Sequence, residues 1–475
     1  MQPSLPPIDL TKTVCALATP PGSGGLGIVR LSGPEAISIA ERVFRGTNRL
    51  ADQPGFTVHH GFVLDPETGS EVDEVLVTLF RAPKSFTKED LVEFSAHGGR
   101  IILQRITDIL TDNGAIPAVA GEFTLRAFLN GRIDLTEAEA VADLISAKTE
   151  ESAAAALRQL KGALLTEVQA LRQEIRSALA SLEIGIDFVE EDISLDERES
   201  VSLRLSQLTA RIDQILGGHR RGRILRDGFT VVLAGPPNVG KSTLFNRLAN
   251  DERAIVTDIP GTTRDILREY INLGGWPVCI VDTAGLREST DLIERIGIER
   301  TSEAVDRADA AIWMLDPLED WRDQLPSDSL AHSVIPQLVC FNKSDRVPDM
   351  ERLLGEAKGW IESNPNTSND LPVLSISAKT GDSVDALLRH IETWIADCGA
   401  DRHASDLAIN DRHHAALMRA RKAVASAAQA LTENGELELV AFDVQNAATA
   451  LGEIIGETTT EDVLAEIFAN FCIGK

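Results

Sequence analysis

Between Phe229 and Asn250 the chain reads FTVVLAGPPNVGKSTLFNRLAN, and this stretch limits the fold more tightly than any other. A short β-branched apolar run suits a buried strand. Gly235-Pro236-Pro237-Asn238-Val239-Gly240-Lys241-Ser242 then matches the phosphate-loop spacing, and a helical sequence follows. Strand, glycine-rich turn and helix N-terminus together aim backbone N–H groups at a polyphosphate. Lys241 is placed to reach the β- and γ-phosphates and the Ser242 hydroxyl to ligate magnesium. A chance glycine-rich turn would lack the flanking strand and helix.

Four further segments follow in the order a guanine-nucleotide hydrolase requires. Gly261-Thr262-Thr263-Arg264-Asp265 offers Thr263 as a second magnesium ligand. A strand over 276–281 runs into Asp282-Thr283-Ala284-Gly285, where Asp282 holds the ion through water and Gly285 leaves room at the γ-phosphate. A strand over 337–341 ends in Asn342-Lys343-Ser344-Asp345. The Asp345 carboxylate accepts from guanine N1–H and its 2-amino group, which selects GTP over ATP. A strand over 371–376 leads to Ser377-Ala378-Lys379, whose backbone contacts guanine O6. Each motif alone is weak; five in order at strand ends are specific. Ras-type enzymes carry a water-orienting Gln where this chain has Leu286. Hydrolysis then needs other help. Asn238 offers a side-chain carbonyl to a monovalent cation near the phosphates, and Glu288, Glu294 and Glu299 are candidate carboxylates, the alternative being a solvated helix.

The rest of the 475 residues suggests about three domains. Residues 1–131 alternate β-like runs with helices, an α+β pattern. The loop Gly22–Gly27 feeds a strand, and Pro66-Glu67-Thr68-Gly69 turns between strands over 57–64 and 72–80. From 132 the sequence turns helical. Leu157, Leu160, Leu164, Val168, Leu171, Ile175, Ala178 and Leu182 form one apolar stripe, and Val201, Leu205, Leu208, Ile212 and Ile215 another. Leu417, Ala420, Val424, Ala427 and Leu431 form a third beyond the nucleotide segments. The expected architecture is multidomain α/β and α: an α+β domain (1–131), a helical bundle in two parts (132–224 and 398–475), and a Ras-like phosphate-loop G domain (225–397) inserted between them. A net charge of −27 excludes a protein that coats nucleic acid by charge alone. Five scattered cysteines without a Cys-x-x-Cys pair argue against disulfides or zinc. With no apolar run of membrane-span length and no targeting pattern at the start, the expected location is the cytoplasm.

The whole chain resembles the MnmE (TrmE) family of tRNA-modifying GTPases. The resemblance is carried by TPPGSGGLGIVRLSG (19–33), SFTKEDLVEFSAHGG (85–99), GEFTLRAFLNGRIDLTEAEAVADLI (121–145), GPPNVGKST, GTTRD, DTAGLRE and the terminal FCIGK (471–475). It implies a folate-binding-like N-terminal domain, a homodimer through that domain, and a heterocomplex with a flavin-dependent partner of the MnmG (GidA) family. Together the two would add an aminomethyl or carboxymethylaminomethyl group to C5 of the tRNA wobble uridine. The one-carbon unit would come from a tetrahydrofolate derivative (5-formyl or methylene form), with FAD on the partner. The implied G-domain mechanism depends on potassium, held by Asn238, Thr257, Ile259 and Thr262. Glu294 orients water, and Lys241 and Asn238 act with it. The implied nucleotide site comprises Asn238, Val239, Gly240, Lys241, Ser242, Thr243, Thr257, Asp258, Ile259, Pro260, Gly261, Thr262, Thr263, Asp282, Thr283, Ala284, Gly285, Asn342, Lys343, Asp345, Ser377, Ala378 and Lys379. The implied folate contacts are Arg30, Glu93, Arg132 and Lys475. Cys472 is read as a small buried residue rather than a nucleophile.

Two other readings compete: a ribosome-directed GTPase, and a switch whose only output is partner binding. The first expects a basic RNA module, which the helical C-terminus does not supply. The second leaves the N-terminal domain without a role. Basic clusters at His219, Arg220, Arg221, Arg223 and Arg226 and at Arg412, Arg419, Arg421 and Lys422 read equally as tRNA contacts or as salt-bridge partners on helix faces. The partner is expected to hold most of the tRNA.

Overall fold

The computed structural model describes residues 8–187, 195–255, 267–282, 304–325, 335–364, 371–398, 407–433, 435–469, 471 and 473–474. The chain divides into two compact units, Met1–Ala142 with Leu160–Glu183 and Val444–Lys475, and Asp143–Gln159 with Ile184–Asp443.

The first unit is built on a seven-stranded sheet. Its strands are β1 (Val14–Leu17), β2 (Gly27–Ser32), β3 (Phe44–Gly46), β4 (Thr57–Leu64), β5 (Glu71–Phe80), β6 (Leu91–Ala96) and β7 (Ile116–Pro117). They run in the order β3-β4-β5-β6-β2-β1-β7, antiparallel except for the β1–β7 pair. Alternation dictates the buried face: Val75, Val77 and Leu79 point inward on β5, while Leu76 between them is exposed. Helices α1 (Ala36–Val43) and α2 (Arg100–Asp112) contribute to the same core, α2 through Leu103, Ile106, Ile109 and Leu110 at helical spacing. The β4–β5 turn forms where the sequence places it, with the Asp65 carboxylate accepting from Glu67 N at 2.9 Å and Gly69 at φ +69°. Helix α3 (Glu122–Leu129) and the start of α4 (Leu135–Ser146) pack with Phe468 and Phe471 in a second core. Ile473 forms an antiparallel bridge with Ala120. Gly474 lies so close that a Cβ there would stand 2.1 Å from the Leu17 carbonyl oxygen.

Helices α5 (Glu150–Leu160), α6 (Ala163–Asp187), α7 (Leu195–Leu216) and α8 (His219–Asp227) follow. The stripe expected to run unbroken from Leu157 is cut at Gly162, whose φ of +82° ends one helix before the next begins. Leu157 is therefore exposed, on a helix that buries Ser152, Ala155, Ala156 and Gln159 instead. From Leu164 to Leu182 every expected stripe position is buried, as are those of α7.

The nucleotide segments form a second seven-stranded sheet: β8 (Phe229–Ala234), β9 (Ala254–Ile255), β10 (Leu267–Leu273), β11 (Trp276–Asp282), β12 (Ala310–Leu315), β13 (Gln337–Phe341) and β14 (Val373–Ser375). The order is β14-β13-β12-β8-β11-β10-β9. The first five neighbours are parallel and the last two join antiparallel. β8 is central and apolar on both faces, as a parallel strand covered by helices must be. Helices α9 (Lys241–Ala249) and α11 (Val384–Asp397) cover one face and α10 (Met350–Ser363) the other. The chain then continues as α12 (Asp411–Thr432), α13 (Leu437–Ile455) and α14 (Glu461–Ala469). α12 packs along α7, both stripes are buried between them, and Ser202 Oγ donates to the Ala428 carbonyl. None of the described helices is long and apolar enough to cross a membrane.

Segment 407–409 passes directly over α8. A Cβ on Gly218 would lie 2.1 Å from the Leu407 carbonyl oxygen, and one on Gly222 2.5 Å from that of Ile409. Glycine is required there by close backbone approach. Gly222→Ala should destabilise this unit by roughly 1–3 kcal/mol through overpacking. Gly355→Ala, in mid-helix with open space around it, should stabilise by about 0.5–1 kcal/mol. Thermal unfolding of the two variants beside the parent checks the opposite signs.

Candidate nucleotide site and a second cleft

The phosphate loop leaves the C-terminal end of β8 at the point where its neighbours diverge, β11 on one side and β12 on the other, the crevice where open α/β sheets bind ligands. Three left-handed or otherwise glycine-favouring residues shape it. Gly235 has φ +137°, Asn238 +61° and Gly240 +103°. A Cβ on Gly235 would meet the Met314 carbonyl oxygen at 2.2 Å, and one on Gly240 the Asn342 amide nitrogen at 2.2 Å. Lys241, almost fully buried, donates from Nζ to the carbonyls of Gly235 (2.7 Å) and Pro236 (2.8 Å). Desolvation lowers its pKa, with the Asp282 charge opposing. Ser242 Oγ donates to the fully buried Asp282 at 2.8 Å. The two oxygens predicted to serve magnesium thus face one another, one from the helix start and one from the end of β11.

The loops after β13 and β14 are tied to this loop through Asn342. Its amide donates to the Val239 carbonyl at 2.7 Å, and its oxygen accepts from Ala378 N at 2.8 Å. Lys343, at φ +62°, pairs with Asp316 from the end of β12. Asp345 accepts from Ser377 Oγ at 2.7 Å, and that bond holds its carboxyl below the ordinary aspartate range. Arg247 was not legible as a site residue. It reaches from α9 to the carbonyls of Ala378 and Lys379, both at 2.6 Å. Gly381 is needed beside it, since a Cβ there would stand 2.7 Å from the guanidinium. Nothing in the motif spacing marks Arg247, because its role is to carbonyls and not to nucleotide. Thr243 sits in the first turn of α9. Thr257, Asp258, Ile259, Pro260, Gly261, Thr262, Thr263, Thr283, Ala284, Gly285, Leu286, Glu288, Glu294 and Glu299 lie outside the described residues, as do Cys472 and Lys475.

A second cleft, of about 480 Å³, opens on the first unit's sheet. Phe56, Phe80 and Phe86 give it aromatic walls; Lys84, Lys88, Glu93 and Arg132 give it charge. Arg30 and Glu93 are cross-strand neighbours on β2 and β6 and pair at 2.8 Å. Arg30 also donates to the Gly474 carbonyl at 3.1 Å, which joins Gly474 to the Arg30–Glu93 pair. Arg132 donates to the Ser85 carbonyl at 3.1 Å and lies over the Phe86 ring at 5.0 Å. Of the residues singled out from the sequence, Glu93 on β6 and Arg132 beyond α3 line this cleft, and Arg30 on β2 stands behind it through its pair with Glu93.

Several members of the basic clusters are engaged internally. Arg223 pairs with Asp309, Arg226 with Asp227, His219 with Asp411 and Arg421 with Asp213. Arg221 is buried over the Trp276 ring. Among the described residues no group of three or more metal-ligating His, Cys, Asp or Glu side chains is found.

Comparison with known proteins bears on the family of the chain. Residues 13–132 match the model of the GTP-binding protein TrmE N-terminus, and residues 135–472 that of the MnmE helical domain. The tRNA modification GTPase MnmE of Geobacillus kaustophilus (strain HTA426) is 42% identical, over 98% of this chain and 99% of the relative. That of Chloroflexus aurantiacus (strain ATCC 29366 / DSM 635 / J-10-fl) is 44% identical, over 98% and 100%. Among solved structures, Era in complex with MgGDPNP and a 16S ribosomal RNA fragment matches 41% of this chain and 66% of its own at 25% identity, with a TM-score of 0.29. With full-length relatives at this identity and family models spanning nearly all of its sequence, the chain belongs to the MnmE family of tRNA modification GTPases.

Proposed function

We propose that this chain hydrolyses GTP to GDP and phosphate as the working step of a tRNA modification reaction at C5 of the wobble uridine. The observation that carries the reading is the Ser242–Asp282 pair, 2.8 Å apart beside the buried Lys241. A hydroxyl and a carboxylate are hard oxygen donors of the kind magnesium takes. Ser242 and Thr263 would be its protein ligands, with Asp282 acting through water, and magnesium there would neutralise charge on the β- and γ-oxygens. Lys241 would exchange its two loop carbonyls for phosphate oxygens. Glu294 takes the water-orienting role that Leu286 cannot fill. Asn238, on the exposed outer turn of the loop, is proposed with Thr257, Ile259 and Thr262 to hold potassium, which would supply positive charge beside the transferring phosphoryl group.

The same reading treats the G domain (225–397) as an insertion between two helical parts (132–224 and 398–475), after an N-terminal domain (1–131). The packing of α12 on α7 and the close passage of 407–409 over Gly218 and Gly222 support it. The cleft on the N-terminal sheet suits a tetrahydrofolate derivative. Its phenylalanines suit a flat heterocycle, and Arg132, Lys84 and Lys88 suit a carboxylate tail. Arg30, Glu93, Arg132 and Lys475 are assigned to it, and the ligand would supply the one-carbon unit. The proposed assembly is a cytoplasmic homodimer working with an FAD-bearing partner of the MnmG type. That partner holds most of the tRNA, because this chain carries −27 and several clustered arginines are already ion-paired.

Asp345→Asn should lower GTP affinity by about 100-fold, because two charge-assisted hydrogen bonds are lost, and should raise affinity for xanthosine triphosphate, whose 2-oxo group accepts from an amide. Equilibrium binding of the two nucleotides checks the exchange; unchanged GTP affinity would refute the assignment. Because the Asp345 carboxyl is held below the ordinary range, GTP affinity should persist as pH falls toward about 4.5. GTP turnover should fall by about tenfold or more when potassium is replaced by sodium, and by about 100-fold in Glu294→Gln, the scale of a lost general-base or electrostatic contribution. Equal rates in the two salts would remove the cation from the mechanism.

A further inference from the structure

Half of the residues lining the N-terminal cleft lie on one irregular segment. Pro83, Lys84, Ser85, Phe86 and Lys88 all belong to the connection between β5 and β6, which has neither helix nor strand of its own. An irregular loop holds a binding geometry only when its polar groups are fixed from behind. Asn130 Nδ2 donates to the Thr87 carbonyl at 2.7 Å and Lys88 Nζ to that of Gly131 at 2.8 Å, and a further fixing group is a side chain that does not line the cleft.

Glu89 sits at the end of this loop with its side chain 12% exposed. Its Oε1 accepts from Arg126 Nη1 at 3.0 Å, and its Oε2 from Ser32 Oγ at 2.8 Å. Ser32 Oγ is also 2.7 Å from the hydroxyl of Thr87, a fully buried residue between Phe86 and Lys88. The Glu89 carbonyl accepts from Ser85 Oγ at 2.5 Å. One residue thus holds the loop at Ser85 through its backbone and at Thr87 through Ser32. Arg126 is itself rigid. It is fully buried and its five N–H groups meet five acceptor contacts: Glu122 Oε1 twice (3.1 and 2.8 Å), Glu89, and the carbonyls of Lys12 and Asp9 (3.0 and 3.3 Å). Glu122 is anchored in turn by Val119 N at 3.0 Å. The two carboxylates of this network have different jobs. Glu122 joins Arg126 to its own helix; Glu89 joins Arg126 to the cleft.

We propose that Glu89 is a positioning residue of the cleft, fixing the 83–88 loop against the buried Arg126 so that Phe86, Lys84 and Lys88 stand at the separation the ligand requires. The identity of that ligand rests on the folate reading above; the role of Glu89 rests on the network. Gln at position 89 keeps the size and one acceptor but removes the charge and turns an N–H₂ toward Arg126 or Ser32, so the loop loses one tie while the core remains filled.

The test uses full-length protein, 5-formyltetrahydrofolate as probe, and two measurements on each variant, affinity by calorimetry and thermal midpoint. Glu89→Gln should weaken binding by about tenfold with a small fall in midpoint. Glu122→Gln, which perturbs the same guanidinium from the side away from the loop, should lower the midpoint while affinity stays within about twofold. Ser32→Ala, a milder cut of the same tie, should weaken binding by about threefold in the same direction as Glu89→Gln. Parent-like affinity in Glu89→Gln overturns the proposal. So does loss of affinity in both glutamate variants in proportion to their midpoints, because Glu89 would then be structural only. Failure of the parent protein to bind the probe overturns the folate reading instead, and is distinguishable because it precedes any comparison of variants.

Discussion

The side chain of Asn342 is the interaction on which the nucleotide fold depends. A buried primary amide must satisfy both ends, and this one does so across loops that leave three different strands: its nitrogen to the carbonyl of Val239 after β8, its oxygen from the N–H of Ala378 after β14, and its own backbone after β13. Gly240 is glycine partly on its account, because a side chain there would collide with the amide. Arg247 closes the assembly from α9 by holding the carbonyls of Ala378 and Lys379. The phosphate loop and the loops after β13 and β14 are thus bonded into one frame, which suits a site that takes both ends of one nucleotide.

The N-terminal sheet solves a similar problem with a charge. Arg126 has no exposure and every donor engaged, so it joins the segment before β1, helix α3 and the loop that walls the cleft. A buried ion network of this kind is worth little as stability in its own right, since desolvation offsets much of the attraction. Its value is geometric. The surrounding sheet could be held together by its apolar face alone, whereas the β5–β6 loop has few apolar side chains turned inward and depends on polar ties.

The parts of this architecture that follow from periodic burial were legible in the sequence. Strand β8 runs from Phe229 to Ala234 as expected and β13 from Gln337 to Phe341, because a buried parallel strand must be apolar on both faces. The stripes of α7 and α12 are buried residue for residue. The stripe from Leu157 fails at Gly162, where a positive φ outweighs continued helical spacing on both sides. Strands β10 and β12 are not legible in the same way: Arg268, Glu269 and Asn272 interrupt the apolar residues of β10, and β12 carries no motif at its start. At the sites, Lys241, Ser242, Asp282, Asn342 and Asp345 were legible as candidates because nucleotide chemistry fixes their spacing. Arg247, Arg126 and Glu89 were not, because their partners are carbonyls and carboxylates brought near only by the fold.

Those three residues share a property that separates them from the ligand-facing set. Each acts on a loop rather than on a ligand, through bonds that are costly to leave half made. Altering a residue proposed to face the ligand, such as Asp345, should change what is recognised. Altering a residue behind the loop changes how well the same recognition groups are aligned, and its effect should appear in affinity before it appears in stability wherever an apolar core carries the stability. Both candidate sites are built on that division: a set of recognition groups, revealed by spacing at the nucleotide loops and by the family resemblance at the cleft, placed on loops that a buried polar centre ties down. The centres are chemically unlike, a neutral amide for the nucleotide loops and a guanidinium for the cleft. The difference follows from what each binds, two backbone groups in one case and two carboxylates with two backbone carbonyls in the other.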